Sequence, residues 1–191
     1  MTMSLTKTLA VVIAMTFFPL SASAQPTDPK DGVKEIAALT ADMAHFDAIR
    51  RVAEDLVFWQ SVAIMGGEFG WTFAYNSQAT EIEEWTYRLY NSLDETLPEG
   101  IRSRQAIKRS RVLTDEEKQR GEELFLMYEE MHSVAQEVYV LLKDDDVASA
   151  AALFEERTLN LRREISRAAA SSQITLRDRI RRKALDVRLG K

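Results

Sequence analysis

LTDEEKQRGEELFLMYEEMHSVAQEVYVLLKDDDVASAAALFEERTLNLRREISRAAASSQITLRDRIRRKALDV, running from Leu113 to Val187, is the stretch whose reading decides the fold. Leu124, Tyr128, Met131, Ala135, Val138 and Leu142 recur at alternating steps of four and three, the spacing that returns an α-helix to one face. Thr114 and Glu117 stand at the distance of a capping box, where each side chain meets the other's backbone N–H. Lys143-Asp144-Asp145-Asp146 interrupts the pattern. Asp145 or Asp146 is suited to cap the next helix, since a carboxylate accepts from its free N–H groups and favours the positive end of its dipole. That helix carries a seam of Val147, Ala151, Phe154, Thr158, Leu161, Ile165, Ala168 and Ser172, so the stretch predicts two long amphipathic helices joined by an acidic turn.

Working outward, Ile101 to Arg111 reads as a short linker. A second helix, marked by Ile82, Trp85, Leu89 and Leu93, is expected to begin between Thr72 and Thr80. Pro98-Glu99-Gly100 is expected to end it, proline lacking an N–H and glycine weakening helices. Gly66-Gly67-Glu68-Phe69-Gly70 predicts a chain reversal for the same reason. Ahead of it, Ile36, Leu39, Met43, Phe46, Ala53, Leu56 or Val57, Gln60 and Ala63 or Ile64 form the seam of a first long helix, opened by Asp28-Pro29, with proline suited to the first helical position. Four helical segments with short connections predict an all-α, up-down-up-down antiparallel four-helix bundle.

Lys7, the apolar run Leu9 to Leu20 and the small residues Ala22-Ser23-Ala24 read as a cleavable export signal over residues 1–24, because the run is shorter than the about 20 residues a bilayer span needs. The expectation is a periplasmic protein with residues 25–191 as one helical domain. The chain has no cysteine, which excludes disulfides, thiolate metal sites, c-type haem attachment and a cysteine nucleophile. Residues 25–191 hold 24 basic and 30 acidic residues, a balance that argues against nucleic acid as a partner. No Gly-x-Ser-x-Gly elbow, phosphate loop or His-Glu-x-x-His motif is present, so nucleophilic catalysis has no support; hydrolytic carboxylate pairs stay open among the many acids, and the expectation is a protein that is not an enzyme and holds no cofactor other than a metal ion.

Three constellations stand out. The first is basic. The predicted topology brings the Ile101 to Arg111 linker, with Arg102, Arg104, Lys108, Arg109 and Arg111, to the same pole as the end of the fourth helix, with Arg177, Arg179, Arg181, Arg182 and Lys183. Counted at about 1.5 Å per residue, the third helix covers the fourth only to Leu176, so the rest is expected to overhang. Such a pole either complements a helix dipole or docks anionic lipid or an acidic partner. The second is aromatic: Trp59, Trp71 and Tyr75 gather around the expected reversal, with Trp85 lower on the second helix, and the set is suited either to cap a bundle core or to line a small-molecule pocket. The third is metal-like. Asp42 with His45, and Glu129 with His132, each place a carboxylate and an imidazole three residues apart, the Glu-x-x-His spacing of carboxylate-bridged metal bundles. The competing reading is of solvated boundary residues.

Val138-Tyr-Val-Leu-Leu-Lys-Asp-Asp-Asp-Val-Ala-Ser-Ala-Ala-Ala-Leu-Phe-Glu-Glu156, followed by Leu159, Leu161 and Ile165, resembles the hairpin between the third and fourth helices in the four-helix-bundle sensing domains of bacterial chemoreceptors and sensor kinases. The resemblance implies a periplasmic ligand-binding or accessory sensory module acting in signal transduction on a membrane-protein partner. Those domains lie between two membrane spans, whereas here the first is an export signal and no second is present. Leu113-Thr-Asp-Glu-Glu-Lys-Gln119 is loosely similar to the Leu-Thr-x-x-Gln motif of periplasmic stress chaperones of the Spy and CpxP type, with the Gln two positions late. That similarity implies a small helical chaperone that forms a homodimer.

Overall fold

The computed structural model describes the backbone of residues 29–73 and 79–190 and the side chains of 30–66 and 84–190. The export-signal segment, the side chain of Trp71 and all of Tyr75 lie outside the described residues. Every element described is a helix: α1 (Pro29–Phe73), α2 (Ala79–Arg109), α3 (Asp115–Lys143), α4 (Val147–Leu153), a π-helical turn (Phe154–Thr158) and α5 (Leu159–Leu189). No described helix is long and apolar enough to cross a membrane.

The expected seams become the core. Leu39, Phe46, Leu56, Leu89, Leu124, Tyr128, Met131 and Ile165 are almost fully buried, each such side chain contributing about 1.5–3 kcal/mol of hydrophobic stabilisation. Among the described residues α1 packs against α2, α3 and α5, whereas α2 and α5 do not touch. Rising numbers on α1 meet falling numbers on the last segment: Glu35 meets Lys183, Asp47 meets Gln173, Glu54 meets Arg162, and Gln60 meets Thr158. α2 and α3 run against each other in the same way, through Arg104 with Glu122, Gly100 with Tyr128 and Tyr90 with Tyr139.

The structure corrects the boundaries read from glycine and proline. α1 continues through Gly66-Gly67-Glu68-Phe69-Gly70 to Phe73, so the predicted reversal there does not occur. α2 continues through Pro98-Glu99-Gly100 to Arg109, which leaves only residues 110–114 as the connection in place of the longer linker. The reason is packing. A Cβ on Gly100 would lie 2.5 Å from Tyr128 Cε1, and one on Gly121 would lie 2.5 Å from Ile107 Cγ2. Each glycine is the gap that admits a large side chain from the facing helix, and the buried contact outweighs the about 1 kcal/mol of helix propensity lost. Pro98 is tolerated because it and Asp94 both face solvent, where water can satisfy the carbonyl that loses its helical donor.

Two further departures follow from packing. The C-terminal segment does outrun α3, yet it does not stand free: a Cβ on Gly32 would lie 2.3 Å from Val187 Cγ2, and Glu35 pairs with Lys183 at 2.8 Å. The expected overhang was measured against α3 alone, and α1 begins early enough to cover it. On the fourth segment Ala150 is fully buried while Val147, Ala151 and Phe154 are half-buried. The π-helical turn is responsible: Leu159 N–H bonds to the carbonyl of Phe154, five residues back, and this wider turn rotates the seam between α4 and α5.

Gly100→Ala therefore separates packing from propensity. It gains about 1 kcal/mol of helix propensity and meets an overpacking cost of about 1–3 kcal/mol against the buried Tyr128 ring. The expected result is a lower urea midpoint, while Pro98→Ala on the solvent side raises stability by up to about 3 kcal/mol. A Gly100→Ala protein more stable than the parent contradicts the packing account.

Candidate functional site

One of the expected basic residues, Arg179, is built into the connection between α2 and α3. Ser110 Oγ–H donates to Asp42 Oδ2 at 2.5 Å and accepts from the N–H groups of Val112 and Leu113, each at 3.2 Å. Thr114 and Glu117 form the expected capping box, with Thr114 N–H to Glu117 Oε2 at 2.8 Å and Glu117 N–H to Thr114 Oγ1 at 3.2 Å. Arg179 reaches in from α5, donating Nη2–H to the Val112 carbonyl at 3.0 Å and Nη1–H to Glu117 Oε2. Burial alone pushes the Glu117 carboxyl up, but hydrogen bonds from Arg179 and Thr114 outweigh it and hold the group below its ordinary range.

Other members of the expected pole are similarly engaged. Arg104 grips Glu122 through Nε, at 2.8 Å, and Nη2, and lies 4.7 Å over the Phe125 ring. These hydrogen bonds hold the Glu122 carboxyl below its ordinary range. Lys183 pairs with Glu35, Arg181 lies 4.0 Å from Asp178, and Arg182 Nε–H reaches the Asp178 carbonyl at 3.4 Å. Arg102, Lys108, Arg109, Arg111 and Arg177 are exposed and make no ion pair among the described residues. Arg102, Lys108 and Arg109 belong to α2 and Arg177 to α5, two helices that do not touch.

The four metal-like residues are not gathered into one site. Asp42 is committed to Ser110, and His132 is buried with Nε2 3.0 Å from the Leu93 carbonyl, to which it donates. His45 is half-buried on α1 and Glu129 is exposed on α3. Among the described residues no group of three or more His, Cys, Asp or Glu side chains is placed to hold a metal ion. The i,i+3 spacing is present on both helices, but Asp42 and His132 are taken up by other partners.

Of the aromatic set, Trp59 and Trp85 do come together, across α1 and α2. Gly66 makes room for the Trp85 indole, whose Cδ1 would lie 2.8 Å from a Cβ there. Arg88 is held by both rings, its guanidinium carbon 5.8 Å from the Trp59 centroid and 5.4 Å from that of Trp85. Glu84, one turn earlier, accepts from Arg88 Nη2 at 2.6 Å and Nε at 3.1 Å. An open groove of about 460 Å³ lies here, lined by Trp59, Glu84, Tyr87, Arg88, Asn91, Ser92 and Glu95. The rings take the face of the guanidinium and the carboxylate its Nε–Nη2 edge, so Nη1 remains for a second acceptor. The groove thus offers one positioned cation, two carboxylates, an amide and two aromatic rings.

Arg88 escaped the sequence reading, although Glu84-Trp85-Thr86-Tyr87-Arg88 carries an i,i+4 acid–base pair beside a tryptophan. The buried bond from Thr158 Oγ1 to Gln60 Oε1, at 2.9 Å, was foreshadowed by two polar residues in otherwise apolar seams. No family model matches the chain, and no curated protein or solved structure matches it.

The Glu117 site fixes a pH dependence. Its carboxyl titrates below its ordinary 4.5 in the folded protein, so the unfolded chain binds more protons between the two values. The stabilisation is complete above the ordinary value and is lost as pH falls through the folded one. Glu117→Gln is expected to cost about 2 kcal/mol at pH 7 in urea unfolding, with the difference shrinking as the pH is lowered to 3. An unchanged difference across that range contradicts the assignment.

Proposed function

We propose that the chain is an exported helical-bundle binding protein, an accessory sensory module that takes a small ligand in the groove between α1 and α2 and acts on a membrane-protein partner. In this reading the helical segments form an up-down-up-down antiparallel bundle, and the groove lies toward the end away from the basic residues. One observation carries the proposal: a half-exposed arginine fixed by two indoles and a carboxylate at the mouth of a 460 Å³ groove. An arginine held in this way has lost its rotamer freedom before the ligand arrives, which reduces the entropic cost of binding. The lining favours a small carboxylate that also carries a hydrogen-bond donor: Arg88 takes the acid, while Glu95 and Asn91 accept from the donor.

The resemblance of Val138 to Glu156 to sensing-domain hairpins supports the sensory part of this reading. Specific observations favour a second one: Phe58 and Met65, two turns apart on α1, are 56% and 46% exposed, an apolar stripe of the kind a chaperone of the Spy and CpxP type presents to unfolded clients.

A thermal-shift screen of small carboxylates, with and without amino groups, tests the two together. The binding-protein reading expects a saturable rise of roughly 5–10 °C at a hundred-fold excess over Kd, abolished in Arg88→Gln and Trp59→Ala proteins that keep the parent's circular dichroism. Suppression of client aggregation with no saturable ligand shift rejects it in favour of the chaperone.

A further inference from the structure

A second groove, between α1 and α5, has a different chemistry. Glu54 on α1 and Leu159, Arg162, Arg163, Ser166 and Arg167 on α5 line a groove of about 450 Å³, within the size range of small-molecule sites. Glu54 accepts from Arg162 Nε at 2.8 Å and from Ser166 Oγ at 3.3 Å. These bonds neutralise one guanidinium and leave its two Nη groups for another acceptor. Arg163 and Arg167 have no ion-pair partner among the described residues; the one polar contact of Arg163 is a long 3.5 Å bond to Asn160 Oδ1. They are one helical turn apart, where like charges repel.

The bundle supplies an acid for most of its other interhelical arginines. Arg104 has Glu122, Arg179 has Glu117, and Arg157 has Glu130. At Arg163 and Arg167 it supplies none, although Glu164 lies between them in sequence. The groove therefore carries three guanidinium groups against one carboxylate, with Leu159 as an apolar wall. Planar guanidinium forks bind tetrahedral oxyanions through paired N–H donors, and a dianion best offsets two uncompensated charges at this spacing.

We infer that the α1–α5 groove is a binding site for a phosphoryl group, with Arg163 and Arg167 as its principal ligands and Arg162, oriented by Glu54, as the third. The phosphoryl group belongs either to a small soluble phosphate compound or to a lipid headgroup. The site is separate from the Arg88 groove, since α2 and α5 do not touch, and it stands whether or not that groove binds a carboxylate.

The test uses the full mature chain in two arms at fixed salt. Calorimetric titration with inorganic pyrophosphate probes the soluble source, and co-sedimentation with vesicles containing phosphatidic acid probes the lipid source. The expected result is binding in at least one arm, weakened ten-fold or more by the pair Arg163→Gln and Arg167→Gln and unaffected by the control pair Arg102→Gln and Arg109→Gln on α2. Pyrophosphate binding alone assigns a soluble phosphate, and vesicle binding lost in the same variant assigns a headgroup. Because all four arginines are exposed, circular dichroism is expected to be unchanged in both variants. Binding in neither arm, binding that survives the Arg163 and Arg167 substitutions, or equal weakening by the control pair overturns the assignment, the last by showing diffuse charge attraction.

Discussion

The ring of Tyr128 lies in the space that a side chain at position 100 would fill, and much of the molecule depends on that contact. It is fully buried, and burial pushes its hydroxyl pKa up to about 12, so the phenol stays neutral through ordinary conditions. With the ring seated, α2 cannot slide along α3 without driving Tyr128 into backbone. Two turns further on, Ile107 fills the space over Gly121. Two such contacts fix the register, and the register decides which polar groups meet: Arg104 reaches Glu122, and His132 reaches the Leu93 carbonyl.

That register changes the meaning of the charge. A linker dense in arginine, as residues 101–111 first read, would present its bases to solvent and to any anionic surface nearby. A helix over the same residues turns some inward. Arg104 becomes a bridge to α3, and Arg179, from the far end of the chain, holds the short connection by its Val112 carbonyl and Glu117 carboxylate. Breaking the Arg179 pair is costly because the buried Glu117 carboxylate is left uncompensated. The exposed remainder is spread over α2, the connection after it and α5, whereas the two grooves beside α1 each concentrate distinct chemistry, one around Arg88 and the other around Arg163 and Arg167.

The seams, the Thr114–Glu117 capping box and the cap at Asp146 were legible in the sequence because each rests on local spacing. Asp146 does accept from Ser149 N–H, at 3.1 Å. Glycine and proline misled because their local preference and their packing role point in opposite directions. Gly66 and Gly100 weaken a helix in isolation and permit Trp85 and Tyr128 to approach in the folded chain. The phase change at Phe154–Thr158 was hidden for a related reason, since a π turn leaves the order of apolar residues intact while rotating them. The sites were harder still. Arg88 depends on a tryptophan contributed by another helix, and Arg163 and Arg167 share a groove with Glu54 only through the packing of α5 on α1, which no spacing in the sequence reveals.

The central claim is that glycine-centred packing carries α2 unbroken past Pro98 and Gly100 and so binds the basic stretch into the bundle. Native-state hydrogen exchange of the amides from Ser103 to Ile107 tests it most directly, because amides in core helices open only at free energies near that of global unfolding. Protection there equal to that of Leu124 to Met131 on α3 is the result the packing account predicts. Exchange at the rate of an open loop, with protection ending at Leu97, would contradict it.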